Sequence, residues 1–483
     1  MQKSIKINTV LNMIKTLAAI IFPLITFPYV SRVLKPDNIG KINFVNSIIN
    51  YFSLLATLGV TTYAVRECSR VREKKAELER TSSEIISLNI CTMIVSLTIL
   101  TVCSVCIPKF KEYQFLLFIK SITIIFTVLG ADWLNTAMED FKYLTIRSVA
   151  FQILSLILLL IFVKNQDDYI KYMCIIVLGE SGGNICNIFY RKKYCTVHIT
   201  KCINWKKHFP PIIMLFSLMV SQTILNSIDT TMLGFMKGNY EVGLYSTAVK
   251  IILTITQVIS SVCWVVMPQL SQAFAISDYG CINIILKRVV SFSITLTLPC
   301  VVGVMIIPKN IMCLIGGEQY IKAATCLKIL ALSMFINVIA GILGNMILLP
   351  AQREKQFTLA CIAGMLINVI MNAALIPKYG INGAAVATVA SSGMILLGTL
   401  LKFDKNIQFS GIFSILKGPI IGTIIIVLIG ETIKYLCLPF GIETIAIILI
   451  STVAYIIVLL YCRNEFLLEI VKPIFGKIKN KKF

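Results

Sequence analysis

The chain has 483 residues, of which 57% are hydrophobic and only 14% are charged. Soluble globular proteins have about 45–50% apolar and about 25% charged residues, so this composition excludes a soluble enzyme and a disordered chain. The formal net charge is +22, from 45 Lys and Arg against 23 Asp and Glu. In a membrane protein such a surplus indicates orientation and not nucleic-acid binding, because basic residues gather on the cytoplasmic side.

About fourteen apolar segments approach the length of about 20 residues that a membrane-spanning helix needs. The connections between them are short, so we predict an all-α polytopic membrane protein without an inserted soluble domain. The predicted spans are residues 9–31, 38–64, 84–107, 113–138, 143–163, 169–190, 210–237, 241–275, 282–307, 322–350, 357–377, 382–403, 411–437 and 441–462. The first span contains Lys15 and Pro23 and lacks a small-residue cleavage site, so we expect a retained helix and not a signal peptide.

The basic residues between these spans are unevenly distributed. With both termini in the cytoplasm, roughly 29 Lys and Arg fall on the inner side and roughly 12 on the outer side, which satisfies the positive-inside rule. We therefore predict a multi-pass protein of the cytoplasmic membrane with both termini inside. The lysine-rich C-terminal tail is suited to anionic inner-leaflet lipid.

Sequence patterns of an enzyme are missing. The chain has no phosphate-binding loop and only two histidines, and its outer loops are short. Four potential zinc ligands, Cys195, His198, Cys202 and His208, lie within about 14 residues, but they lack the paired spacing of zinc sites. We therefore favour coincidence over a metal site, and we predict a non-enzyme without a cofactor.

Ionisable residues inside the spans are the strongest functional signal, because a charge at mid-bilayer costs about 2.5–3.5 kcal/mol. Several of them are lysines, which favours an anionic cargo such as a pyrophosphate group. The candidates for binding this anion are Lys15, Lys120 and Lys250, and the candidates for taking up a coupling H⁺ or Na⁺ are Asp229, Asp132 and Glu180. In the alternative interpretation, Lys120 extends to the membrane interface, and Asp132 and Glu180 hydrogen-bond to neighbouring helices.

A weak internal repeat relates the two halves of the chain. The segment Asn38–Asn43 can be aligned with Glu241–Ser246 at an offset of about 203 residues, and Lys378–Ala387 has a similar pattern of glycine and small residues. Six helices followed by six more in the same orientation predict two lobes around a central cavity, a design suited to alternating access. The predicted divisions are residues 1–208, residues 209–405, and residues 406–483 with two extra helices and the basic tail.

Several motifs together resemble those of the Wzx-type flippases, in the polysaccharide transporter branch of the superfamily that also contains the multidrug exporters. They are Pro28–Leu34 with Gly40, Tyr63–Glu67, Asp229 with Met232–Gly234, Val242–Ile251, Gly316–Tyr320 and Ile376–Ala387. The resemblance implies that the protein moves undecaprenyl-pyrophosphate-linked oligosaccharide from the inner to the outer leaflet. It also implies that a polysaccharide polymerase and glycosyltransferases are partners.

The same resemblance adds Arg32 and Arg66 at the ends of the first helix pair and places Lys250 at a basic position suited to pyrophosphate. Asp229 matches an acidic position, but Thr230 follows it where relatives often have a basic residue. A drug or cation antiporter of the same superfamily and a membrane glycan polymerase or ligase are the alternatives. Intramembrane lysines argue against the first and short outer loops against the second. A lipid II flippase or a teichuronic-type exporter stays open within the family.

Overall fold

A computed structural model describes residues 5–200, 205–401, 407, 412–436, 438–464 and 467, with the backbone alone for some helical residues, including residues 5–17. The described residues form helices and no β-strand. The helices are α1 (Ile5–Thr57), α2 (Val60–Arg70), α3 (Lys75–Cys106), α4 (Pro108–Glu112), α5 (Gln114–Gly130), α6 (Asp132–Ala137), α7 (Phe141–Phe162), α8 (Tyr169–Tyr190), α9 (Trp205–Met236), α10 (Asn239–Ala275), α11 (Tyr279–Ile306), α12 (Pro308–Gly316), α13 (Ala324–Gly341), α14 (Glu354–Leu400), α15 (Ile412–Tyr435) and α16 (Phe440–Tyr461).

Two of these helices are each a pair of helices joined at a kink. In α1 the backbone of Lys35 has φ 65° and ψ 168°, directly before Pro36, which disfavours a helical conformation in the preceding residue. In α14 the break is at Gly380, with φ 53°, three residues after Pro377. The kinks lie between the predicted spans 9–31 and 38–64, and between 357–377 and 382–403.

The described part of the chain contains eleven segments that are long and apolar enough to cross a membrane, among them Ile21–Arg70 and Glu354–Leu400, which include the two kinks. Along α16, the large apolar side chains of Ile445, Leu449, Val453 and Ile457 are all more than half exposed. Their spacing of four residues puts them on one face, as expected for a helix whose outer side meets lipid. The prediction of an all-α polytopic membrane protein is confirmed.

The chain divides into two compact units, Met1–Ser246 and Thr247–Phe483, with the boundary inside α10. In the first unit α1 packs against α3, α5, α7 and α9, and α5 packs against α8. The predicted division at residues 208–209 and 405–406 follows the internal repeat, whereas this boundary follows spatial packing. The three predicted divisions stay predictions.

In the second unit α13 packs against α14 and α11, and α15 packs against α11 and α16. The Tyr455 hydroxyl of α16 donates to the Thr295 carbonyl of α11 at 2.7 Å, and the Asn310 amide of α12 donates to Thr444 at 2.8 Å. Apolar packing and these buried hydrogen bonds hold the last two helices against the unit. A π-helical turn, Ile342–Leu348, follows α13.

Candidate functional site

A row of polar side chains joins the second half of α1 to the hairpin formed by α9 and the start of α10, and we call it the hairpin seam. The Asn43 amide donates to the Ser246 hydroxyl at 2.7 Å. One and two turns further along α1, Ser47 accepts from Thr231 at 2.9 Å, and the Asn50 amide donates to Ser227 at 3.3 Å. Such bonds are a main attraction between helices in a membrane, where lipid is as apolar as the side chains.

Two glycines allow the backbones at one end of the seam to touch. A Cβ atom on Gly40 would lie 1.8 Å from the carbonyl oxygen of Asn239, and one on Gly243 would lie 1.9 Å from the carbonyl oxygen of Pro36. Both distances are far below van der Waals contact with a rigid backbone group. Only glycine fits at either position without displacing the chain.

The contacts at this end of the seam are reciprocal. Pro36 and Asn239, Gly40 and Gly243, and Asn43 and Ser246 are each separated by 203 residues, the offset of the predicted repeat. Gly40 meets Asn239 while Gly243 meets Pro36, and the equivalent residues Asn43 and Ser246 bond to each other. This is the arrangement expected around a two-fold axis, where residue i contacts j and the equivalent of i contacts the equivalent of j.

Asp229 lies in α9 beside the seam. Its carboxylate is buried and accepts a hydrogen bond from the Tyr245 hydroxyl of α10 at 2.6 Å. Lys250 follows on α10 and is half-buried. The roles predicted for these two residues, uptake of a coupling ion by Asp229 and binding of an anion by Lys250, stay predictions.

Lys120 and Glu180 were assigned separate roles from the sequence, but the structure brings them together. The Lys120 ammonium of α5 lies 2.6 Å from a carboxylate oxygen of Glu180 on α8. The lysine side chain is 6% exposed and the glutamate side chain is 55% exposed. Neither group is therefore an isolated charge: an anion that binds Lys120 has to compete with Glu180.

Asp132 also has a charged partner, and the sequence analysis did not foresee it. The Arg147 guanidinium of α7 donates to the Asp132 carboxylate at 2.5 Å and lies over the Tyr143 ring. Arg147 is charged, yet its side chain is only 7% exposed. Gly183 of α8 makes room for it, because a Cβ there would lie 2.8 Å from the guanidinium Nε. An arginine inside the predicted span 143–163 was the available signal.

The remaining predicted anion-binding residues have different surroundings. Arg32 on α1 and Arg66 on α2 are exposed. The side chain of Lys15 lies outside the described residues. The structure thus shows Lys120 as a buried cation and Arg32 and Arg66 as surface cations. The assignment of all these residues to substrate binding stays a prediction.

A buried chain of hydrogen bonds surrounds His208, and we call it the His208 clasp. The Tyr63 hydroxyl of α2 lies 2.7 Å from His208 Nδ1, and His208 Nε2 lies 2.9 Å from a carboxylate oxygen of Glu84 on α3. The other oxygen of Glu84 accepts from Arg80 at 3.0 Å. The sequence analysis considered His208 only as a metal ligand and missed this arrangement, because Tyr63 and Glu84 lie more than 120 residues away.

The three potential zinc ligands within the described residues, Cys195, His198 and His208, do not form one site. No group of three or more His, Cys, Asp or Glu side chains suited to a metal occurs within the described ranges. His198 has an exposed side chain, Cys195 is buried, and Cys202 lies outside the described residues.

The connection that leads towards α9 lies along α3. The backbone N–H groups of Thr196, His198 and Thr200 donate to the side chains of Glu79, Ser83 and Ser87, at 3.1, 3.0 and 2.8 Å. Alternate residues of an extended segment are about 6.6 Å apart, and every fourth helical residue repeats at about 6 Å. The two repeats match, so the extended segment follows one face of α3.

Comparison with known proteins agrees with this architecture. The profile of the family described as "Polysaccharide biosynthesis protein" matches residues 5–274. A Shigella dysenteriae protein named for O-antigen transport is 22% identical over 385 residues, covering 78% of this chain and 94% of the relative. A solved lipid II flippase MurJ in an inward closed conformation has a TM-score of 0.73 at 18% identity, covering 95% of this chain and 99% of that one. A multidrug resistance MATE family transporter has a TM-score of 0.57 at 12% identity, covering 81% and 93%. The two structural likenesses show the fold alone.

Proposed function

Because the chain belongs to the polysaccharide biosynthesis protein family, we propose that it moves undecaprenyl-pyrophosphate-linked oligosaccharide units across the cytoplasmic membrane for surface polysaccharide synthesis. The observation that supports movement by alternating access is the reciprocal contact at the hairpin seam. Repeat-related helices that meet around a two-fold axis are the parts that separate when a transporter of this design opens. The relative named for O-antigen transport supports the substrate class.

In the predicted orientation, the kink at Lys35 and the turn between α9 and α10 lie on the outer side. The seam would then be closed towards the outside. Opening it breaks hydrogen bonds between uncharged groups and separates two glycine contacts. A seam of this kind can open and close at a modest free-energy difference, because interhelical hydrogen bonds in membranes average about 0.6 kcal/mol.

The pyrophosphate would be attracted by cations in or near the spans. Lys120 is the best-defined candidate, because it is buried and its partner Glu180 is half-exposed. A lysine–phosphate contact at 4 Å is worth roughly 4 kcal/mol at an effective dielectric of about 20, before desolvation. Competition with Glu180 would keep binding reversible. Lys15, Lys250, Arg32 and Arg66 complete the proposed set.

The coupling ion would be H⁺ or Na⁺, taken up by one of the three candidate carboxylates. Asp132 and Glu180 each have a cationic partner at 2.5 and 2.6 Å. Asp229 accepts from the neutral Tyr245 hydroxyl. Since a carboxylate beside a cation resists taking up another cation, an ion that binds Asp132 or Glu180 has to compete with Arg147 or Lys120, and all three carboxylates stay candidates.

We further propose that both termini are cytoplasmic, that the chain has no catalytic activity of its own, and that glycosyltransferases supply its substrate and a polymerase consumes the product. The drug or cation antiporter is the second candidate, since the fold is shared. A buried lysine in α5 favours the anionic cargo over it.

The test is transport by the full chain in liposomes that contain a fluorescent polyprenyl-pyrophosphate disaccharide. Dithionite destroys the fluorescence of the outer leaflet, so movement of the probe is measured as the quenched fraction. We expect movement of this probe and no efflux of ethidium. Efflux of ethidium without movement of the lipid would establish the antiporter instead.

A variant sharpens this test. We expect Lys250→Ala to reduce movement of the probe at least tenfold, and to abolish surface polysaccharide in cells while the amount of protein in the membrane stays unchanged. Lys434→Ala is the matched control, since Lys434 is near the end of α15 and pairs with Glu431 on the same helix. Unchanged polymer in Lys250→Ala cells would remove Lys250 from the substrate site.

A further inference from the structure

The His208 clasp is built from titratable groups, in contrast to the hairpin seam. His208 is fully buried at the start of α9 and contacts Tyr63 of α2 and Glu84 of α3 through its two ring nitrogens. Tyr63 is 4% and Glu84 is 6% exposed. Because both ring nitrogens of His208 are hydrogen-bonded, the imidazole has one orientation, and a proton on either nitrogen has a defined partner.

With a neutral imidazole, both ring nitrogens have hydrogen-bond partners in the clasp. With a protonated imidazole, the hydrogen bond to Tyr63 has to rearrange. With a neutral ring, Nε2–H donates to Glu84 and Nδ1 accepts from the Tyr63 hydroxyl. With a second proton, both nitrogens donate, and the bond to Glu84 becomes a charge-assisted pair. The Tyr63 oxygen then has to accept, and its hydrogen needs a new partner in apolar surroundings.

The surroundings of the clasp limit which groups can share this proton. The buried cluster beside Tyr63 contains Val60, Leu78, Ile85, Trp133 and Ile212. The titratable or charged groups facing the clasp are Tyr63, Arg66, Glu67 and Cys68 of α2, Arg80 and Glu84 of α3, and Cys195 of the connection. Lys206 and Lys207 precede His208 in α9. Histidine is the side chain of this group that ordinarily changes charge between pH 5 and 8.

The position of the clasp gives its protonation a mechanical consequence. Tyr63 and Glu84 belong to the first repeat, and His208 stands at the start of the helix that opens the second. The segment 196–200, which comes before α9 in the chain, also donates three backbone N–H groups to α3. Loosening His208 from Glu84 therefore loosens the start of α9 from α3.

We propose that Tyr63, His208 and Glu84 form a proton-binding site, and that the bound proton holds the start of α9 against α2 and α3. Acid pH strengthens the bond between His208 and Glu84 by making it charge-assisted, and alkaline pH returns it to the weaker neutral bond. The proton site stands on the clasp geometry. Its consequence for transport rests on the function proposed above: release of the clasp changes the rate at which the lipid-linked substrate moves.

The chain provides its own control, because it has only two histidines. His198 is ten residues before His208 and has an exposed side chain. Its backbone N–H bonds to Ser83 of α3, and its ring interacts electrostatically with Glu79 of the same helix. His208→Gln and His198→Gln therefore make the same chemical change inside and outside the clasp. Glutamine keeps a polar amide at each position but cannot take up a proton in this range.

The first measurement is amide hydrogen exchange of the full chain in detergent, with each variant compared with the wild type at the same pH. For peptides covering residues 196–200 and the start of α9, we expect protection in the wild type to be about fivefold greater at pH 6 than at pH 8 after correction for intrinsic exchange. His208→Gln should remove this dependence and His198→Gln should keep it. A wild-type response that survives in His208→Gln, or disappears in His198→Gln, overturns the proton site.

Two further variants test the same proposal if His208→Gln folds poorly. Glu84→Gln removes the anion that favours the charged ring, so the pH midpoint of protection should move to lower pH. Tyr63→Phe removes the donor that favours the neutral ring, so the midpoint should move to higher pH. Shifts in the same direction, or no shift in either variant, contradict the proposal.

Transport in liposomes distinguishes this proposal from the function on which its consequence rests. With the fluorescent polyprenyl-pyrophosphate disaccharide, we expect the rate in the wild type to vary between pH 6 and 8 and the rate in His208→Gln to be flat. If the wild type moves the probe at a rate that does not vary with pH, the effect of the proton site on transport is contradicted and the proposed flippase function stands. An intact exchange response without transport at any pH contradicts the flippase and leaves the proton site.

Discussion

The hairpin seam joins α9 and α10 to α1, and the His208 clasp joins the start of α9 to α2 and α3, but the two do so with different chemistry. The seam is made of glycine contacts and hydrogen bonds between uncharged side chains. The clasp is made of a carboxylate, an imidazole and a phenol. The glycine contacts of the seam therefore respond to shape, whereas the clasp responds to pH. In a transporter that has both, the seam is controlled by how closely the backbones fit, and the clasp can be controlled by a proton.

The largest expected effect is at the glycines of the seam. Gly40→Ala places a Cβ 1.8 Å from the Asn239 carbonyl oxygen, and since this atom is backbone it cannot rotate away. We expect the closed seam to be lost and movement of the lipid probe to fall at least tenfold at every pH. Gly303→Ala is the matched control, because a Cβ at Gly303 meets nothing within 4 Å. Wild-type transport by Gly40→Ala would show that the seam does not close during transport.

An intermediate effect, which depends on pH, is expected at the clasp. Glu84→Gln removes the negative charge that pairs with both Arg80 and His208. Because a buried polar group is then left with a weaker partner, we expect the free energy of unfolding to fall by about 1–3 kcal/mol. The loss of thermal stability should be greater at pH 6 than at pH 8, because a protonated His208 needs the anion more than a neutral one. Glu77→Gln, an exposed acid of the same helix paired with Lys74, is the control. Equal losses at both pH values would mean that His208 does not change its charge.

The smallest expected effect comes from the removal of a single hydrogen bond of the seam. Asn43→Ala removes the bond to Ser246, and the average for interhelical bonds in membranes predicts a loss of about 0.6 kcal/mol, equal at pH 6 and pH 8. A double-mutant cycle with Ser246→Ala, measured by unfolding in denaturant and detergent, isolates the coupling between the two residues. A coupling that changes with pH would break the distinction between the seam and the clasp.

The membrane architecture could be predicted because local sequence determines it. Apolar length marks the spans, and Pro36 and Gly380 mark two of the breaks between them. The repeat was visible at Gly40 and Gly243, because a close backbone contact requires glycine in both copies. The partners of Lys120, Asp132 and His208 were not visible, since each lies on another helix at a distance of 15 to 145 residues.

The sequence by itself determined that this protein is a bundle of membrane-spanning helices with an internal repeat, because hydrophobic length and glycine spacing are properties of adjacent residues. Only the tertiary structure decided which charges are isolated and which are paired, because pairing depends on how each helix is rotated about its axis. That rotation placed Lys120 beside Glu180 and Arg147 beside Asp132. It also placed His208 between a phenol and a carboxylate, which turned a suspected metal ligand into a candidate proton site.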